Sequence, residues 1–278
     1  MKPFLMLTLA ASAAALSACN DLSNEEAQTK EIVSVIDETN LNEIMLTTAD
    51  PNEAVNYFSS TLSKDPTRDD LRRSLAISLL RAKRPLESAN VFKQLDERGV
   101  MTAQDRVNYA DALVRSNNWK EAKTEISKVP PSVETYQRYL LEALISDSEK
   151  NWKKSDSFYK TAAGLTTQPA GVLNNWGYSK LTRSDFKGAA SLFSEAITYN
   201  KSLFTAKNNL VLARAGMKVY DLPIIPMTAE ERAVLTYTAG LAAVKNGDKD
   251  IGRGLIQKSI ELHPRHFEEA TNALKALG

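Results

Sequence analysis

Apolar and small residues recur along this chain with two superposed periods. Within segments of about a dozen residues they follow the three-and-four spacing of an amphipathic helix. Between segments the same residue types return every 33 or 34 positions. The clearest unit joins Leu173–Tyr178 (LNNWGY) to Asp185–Ala196 (DFKGAASLFSEA) and predicts two helices, A and B, linked by a short turn. Gly177 falls where helix A needs a small residue, and Ala189, Phe193 and Ala196 supply small, aromatic and small on helix B. Antiparallel helices approach closely only where one face is small, and the ring fills the gap beside it.

The same columns appear at the repeat interval on either side. The small position of helix B reads Ala54, Ser88, Ala122, Ser155 and Ala189, and the position four residues on reads Phe58, Phe92, Ile126, Tyr159 and Phe193. Helix B opens at Pro51, Pro85, Trp119, Trp152 and Phe186. The small position of helix A reads Asn42, Ala76, Ala110, Ala143 and Gly177, so the first unit departs from its column. Pro66 and Pro264 close repeats, and Pro130, Pro131 and Pro169 lie near that place, as suits a residue that cannot continue a helix. The pattern resembles the tetratricopeptide repeat. The expected fold class is therefore all-α, a tetratricopeptide-repeat solenoid of antiparallel helix pairs with about six units and a C-terminal capping helix.

The sixth unit begins with Lys207–Gly216 as helix A, and Tyr220 falls where helix B should open. There the pattern fails, because Pro223 and Pro226 interrupt it. Residues 219–227 read as an apolar non-helical insert, which either docks into the gap left by the missing helix or offers a partner a sticky edge. Thr228 with Glu231 three residues on is a capping box that opens a new helix. Residues 228–278 then form a last repeat, with Gly240, Gly252, Ile256 and Ser259, and a capping helix within His266–Leu277 that covers the final apolar face. The repeats proper occupy 32–218.

The N-terminus has a different pattern. Lys2 precedes an apolar stretch, Phe4–Ala15, too short to span a bilayer stably. Leu16-Ser17-Ala18-Cys19 matches the bacterial lipobox, so residues 1–18 read as a lipoprotein signal peptide and Cys19 as the site of diacylglycerol and N-acyl lipid. Several acyl chains anchor stably, at about 0.8 kcal/mol per buried methylene. Asn20 rather than aspartate after the cysteine favours the outer membrane, with the folded part in the periplasm. Residues 19–31 are polar and aperiodic and read as a flexible tether. As the single cysteine of the chain, Cys19 leaves no disulfide framework.

Charge removes further classes. Without Lys2 the chain carries 34 basic and 34 acidic side chains and no basic block, so nothing marks a nucleic-acid partner. No catalytic constellation, metal-ligand spacing or phosphate loop stands out, and neither an enzyme activity nor a small-molecule substrate is expected. His263 and His266, the only histidines, straddle a proline and suit surface or cap packing. Trp119, Trp152 and Trp176 coincide with packing columns and read as core.

One polar column is suggestive. Asn108, Asn175 and Asn209 recur at one position of helix A. Asparagine offers a donor and an acceptor and can hold one peptide unit of an extended partner; equally, it is common there in the repeat consensus. Asn174, Tyr178 and Asn208 could share that face, as could Arg73, Asp111 and Arg115 earlier in the array.

With these residues in hand, the chain resembles the tetratricopeptide lipoproteins of the Tad (tight adherence, Flp pilus) assembly system, the TadD family. The lipobox, the array with Asn174–Gly177, the proline-containing apolar linker, Met227–Ala233 and His263–Ala270 carry the resemblance. It implies a non-enzymatic assembly factor, without cofactor, that helps a pilus secretin assemble at the outer membrane. A type IV pilotin-like lipoprotein, or an adaptor recruiting a cell-envelope enzyme, stays open beside it.

Overall fold

The computed structural model describes residues 40–277. The signal peptide, Cys19 and the tether lie outside the described residues. Within them the regular structure is helical throughout, with no strand. The chain divides into two compact units between Met101 and Thr102.

In the first unit a helix over 40–47 (α1) precedes α2 (Pro51–Lys64), α3 (Asp69–Arg81) and α4 (Pro85–Glu97). Proline opens α2 and α4, where its missing N–H and fixed φ cost nothing. Ala54, Phe58 and Leu71 form one buried cluster. Ser88 on α4 faces Ala76 on α3 so closely that its hydroxyl donates to the Ala76 carbonyl at 2.7 Å. At the departure from the column, Asn42 is half-buried and accepts from the Tyr57 hydroxyl at 2.8 Å.

The second unit continues with antiparallel pairs: α5 (Ala103–Arg115) with α6 (Trp119–Ser127), α7 (Tyr136–Ser148) with α8 (Trp152–Gly164), and α9 (Ala170–Thr182) with α10 (Phe186–Tyr199). Then follow α11 (Phe204–Gly216), α12 (Ala229–Lys245), α13 (Lys249–Leu262) and α14 (Glu268–Ala276). Ala110, Ala143 and Gly177 are buried on the A helices, opposite Ile126, Tyr159 and Phe193 on the B helices. A Cβ on Gly177 would lie 2.7 Å from the Phe193 ring. The crossing between α12 and α13 is also close. A Cβ on Gly252 would meet the Gly240 carbonyl oxygen at 2.8 Å, so backbone approaches backbone there.

The α1–α2 turn has no left-handed residue, but from α3 onward one device ends each A helix. Lys83, Asn117, Lys150, Ser184 and Lys218 have φ between 58° and 63°, and Gly247 takes the same place in the last pair at 91°. Each turn carries the paired bonds of a Schellman motif: at α7–α8, Lys150 N–H donates to the Asp147 carbonyl at 2.9 Å and Asn151 N–H to the Ser146 carbonyl at 2.8 Å. A left-handed conformation costs a residue with a Cβ roughly 1–2 kcal/mol, which glycine avoids at some cost in unfolded-state entropy. Lys150→Gly is therefore expected to raise the unfolding free energy by about 0.5–1 kcal/mol, read as a higher urea midpoint. Lys150→Val, β-branched, should lower it.

The turn at Lys218 forms although no helix follows. Residues 219–228 contain no helix, and α12 opens on a capping box in which Thr228 accepts from Glu231 N–H while the Glu231 carboxylate accepts from Thr228 N–H. The local cause is visible. Asn151 and Asp185 cap two of the other B helices of this unit with their side chains, which Val219 cannot do. Pro223 holds Leu222 out of helical space, and Pro226 would break the next turn. Leu222 and Met227 pack against Val211, Leu235 and Ala239, and Ile225 against the α9–α11 core. Ile224 alone of the insert's large apolar residues is fully exposed. Tyr220 donates to Asp248 at 2.5 Å, fastening the insert to the next turn.

Candidate functional site

Helices α5, α7 and α9 are successive A helices of the second unit, and two adjoining cavities open along them. One, of about 380 Å³, lies between α5 and α7 and is lined by Asp111, Arg115, Tyr136, Gln137 and Leu140, with Asn175 from α9. The other, of about 280 Å³, is lined by Asp147 on α7, Trp119 and Trp152 at the starts of α6 and α8, and Asn175, Tyr178 and Ser179 on α9. Leu144 and Asn175 border both. Four of the residues nominated from sequence, Asp111, Arg115, Asn175 and Tyr178, thus meet along one stretch of surface. Arg115 is held to Asp111 by an ion pair of 2.7 Å, one helical turn apart. Asn175 and Tyr178 make no side-chain hydrogen bond to the described residues, and Tyr178 is 55% exposed.

The other asparagines have structural work. Asn108 accepts from Gln104 at 3.1 Å and from Gln137 at 3.2 Å, tying α5 to α7. Asn209 donates to Asn174 at 3.2 Å between α9 and α11, and Asn208 accepts from Thr238 at 2.9 Å between α11 and α12. Asn209 is buried, so its amide holds neighbouring A helices in register rather than facing a partner; it leaves the candidate set. Asn108, Asn174 and Asn208 keep part of their bonding capacity but spend an oxygen on the same kind of tie. Arg73 belongs to the first unit, where its guanidinium donates to the Val100 carbonyl at 3.1 Å.

Three residues of this surface escaped the sequence reading. Trp119 and Trp152 are half-buried cavity walls rather than core; they sit at the first turn of their B helices, at the edge of the helix pair. Trp176 does pack inward, stacked on Tyr159 with 6.3 Å between ring centroids. Asp147 lies in the last turn of α7, where the helix dipole disfavours a negative charge. Three hydroxyls offset that cost: Ser155 and Ser179 (2.8 Å) donate to Oδ1, and Tyr159 donates to Oδ2 at 2.9 Å. Burial, then the charge of Asp147 and this hydrogen bond, push the Tyr159 pKa far up, so the phenol stays a donor. The recurrence of tryptophan in one column of adjacent repeats was the signal available for the two walls; nothing in the sequence singled out Asp147.

Among the described residues no cluster of ligating side chains suited to a metal occurs, and no helix is long and apolar enough to cross a membrane. No family model matches the chain, and no curated protein matches it. Solved structures do. The APC/C hetero-tetramer Cut9–Hcn1 superposes with a TM-score of 0.61 at 14% identity, over 85% of this chain and 48% of that one. A tetratricopeptide repeat protein from Parabacteroides merdae gives a TM-score of 0.56 at 10% identity, over 86% and 96% of the two chains. The fold is an all-α tetratricopeptide-repeat solenoid. PilW, a type IV pilus biogenesis factor, matches it with a TM-score of 0.57 at 15% identity, over 87% of this chain and 98% of that one. This chain spans about half of the Cut9–Hcn1 chain but nearly the full length of the other two. In tetratricopeptide terms the cavities lie where successive A helices meet, with the B helices lending their first residues Trp119 and Trp152 and, from the middle of α8, Tyr159.

Proposed function

We propose that this protein is a lipid-anchored, non-enzymatic scaffold that binds an extended segment of a protein partner along the A helices of its second unit, in the service of pilus assembly. The observation that carries the binding reading is the meeting of Asp111, Arg115, Asn175 and Tyr178 along two adjoining cavities. An amide and a phenol without a hydrogen-bond partner among the described residues, beside a paired arginine and aspartate, suit a peptide backbone that brings its own donors and acceptors. The pilus setting rests on three supports: the lipobox ending at Cys19, the likeness of the C-terminal half to the Tad lipoproteins, and the near full-length fold match to PilW. On this reading Cys19 carries the acyl chains, the folded part hangs from the outer membrane into the periplasm, and the partner is the pilus secretin. The PilW match also supports a type IV pilotin-like role, in which the secretin belongs to that system instead.

The test is recovery of the secretin by crosslinking to the full lipidated chain. Asn175→Ala/Tyr178→Ala is expected to lower recovery about tenfold, the scale of one good aromatic anchor, with unchanged circular dichroism. Undiminished recovery from the folded variant defeats the groove. Labelled palmitate should enter the natural chain and not Cys19→Ala.

A further inference from the structure

We propose that the smaller cavity is a receptor for one lysine side chain of the bound partner segment, its ammonium seated on Asp147. The proposal rests on the groove reading above and names what the groove selects. Among the residues lining this cavity Asp147 is the sole charged one, and no basic side chain faces it there. Asp147 has no ion-pair partner among the described residues; its three contacts are all neutral hydroxyls. Those hydroxyls fix the carboxylate in place but leave its charge uncompensated, at a helix end that already disfavours it. Arg183, which stands 5.5 Å from the Trp152 ring, is committed to Asp156.

The walls agree with the floor. Trp119, Trp152 and Tyr178 line the cavity with aromatic surface, and ring faces attract a cation most when water is partly excluded. The volume, about 280 Å³, is at the lower edge of the roughly 300–1,000 Å³ typical of small-molecule sites, so it suits a single side chain. Hydrogen-bond geometry selects lysine over arginine. Oδ1 already accepts two hydroxyls and Oδ2 one, so only Oδ2 has an open position. A guanidinium needs both oxygens for its bidentate contact, whereas an ammonium makes its full contact with one.

The experiment needs no partner. n-Butylammonium is titrated into the full chain and followed at the indole N–H resonances of Trp119 and Trp152, with n-butanol as the neutral probe of equal reach. The ammonium is expected to bind at least tenfold more tightly than the alcohol, and Asp147→Asn to erase that preference. Equal binding of the two probes, or a preference that survives Asp147→Asn, overturns the proposal. Should Asp147→Asn fail to fold, Tyr178→Ala on the exposed rim takes its place. A severalfold loss of ammonium binding then supports the receptor, and no loss overturns it. Because secretin recovery reads the groove and the probe titration reads the cavity, failure of either is seen without the other.

Discussion

Truncation of Phe193 to alanine is expected to cost about 3–5 kcal/mol of unfolding free energy, a fall in Tm of roughly 6–20 °C for a folded body of this size. The ring is fully buried and lies in a cluster with Leu173, Ala189, Leu192, Ala196 and Leu210, drawn from α9, α10 and α11. It therefore serves both its own helix pair and the contact to the next. The site cannot collapse around the hole. Gly177 has no side chain to move in, Ala189 and Ala196 are already minimal, and backbone on either side is fixed by its own hydrogen bonds. In a repeat array stability is a sum of units and their interfaces, so this loss falls on three consecutive helices at once. Urea unfolding followed in parallel by circular dichroism and by Trp176 fluorescence is the measurement. A cost below about 1 kcal/mol would show that the aromatic column does not organise the stack. Ile126→Ala, in the same column, should cost less, because less volume is removed and α6 is only 9 residues long.

That column is also why the fold was legible in the sequence. Positions 54, 88, 122, 155 and 189 must be small and their partners four residues on must be large, and the structure buries each of them. The opening residues Pro51, Pro85, Trp119, Trp152 and Phe186 are the first residues of their helices. The turn device was less visible, since Lys, Asn and Ser can all be driven into left-handed space by the helices on either side. Their spacing of 33 or 34 was there to see, but their chemistry gave no hint. The candidate site was legible only in part, for a related reason. Asparagines one step apart on a helix face opposite neighbours: Asn175 opens on the cavities, while Asn209, in the same column, turns inward to Asn174. Which one faces out depends on the stagger between successive A helices, a quantity no single repeat encodes. Asp147 is a still harder case. Its role depends on hydroxyls 8, 12 and 32 residues away in sequence, brought together only by packing.

Replacing Lys207 with methionine is expected to cost about 2 kcal/mol, less than breaking a fully buried ion pair because the Glu231 side chain keeps 19% of its surface exposed, and to reverse the response of stability to acid. Lys207 on α11 is 3% exposed and reaches both oxygens of Glu231 at 2.9 Å. Glu231 in turn closes the capping box by accepting from Thr228 N–H at 2.8 Å. One lysine thus holds the start of α12 against α11 across a stretch with no helix to do so. Burial by itself raises the Glu231 pKa, but the Lys207 and Thr228 hydrogen bonds and the lysine charge outweigh it, so the folded value lies below the ordinary 4.5. The sign follows from linkage. A carboxylate with a depressed folded pKa contributes stability above pH 4.5 that is lost as pH falls through its folded value. Without Lys207 the burial contribution prevails, the folded pKa rises above the unfolded one, and protonating Glu231 becomes favourable to the fold. The natural chain should therefore lose stability on acidification below about pH 4.5, while Lys207→Met recovers part of its deficit over the pH units above that value. Lys207→Met/Glu231→Gln removes the stranded charge and should restore about half of the loss at neutral pH. Urea midpoints measured between pH 4 and pH 8 for the three proteins decide it. Parallel curves for the natural chain and the single variant would mean that the pair is no more than a surface contact, and that the cap stands without its lysine.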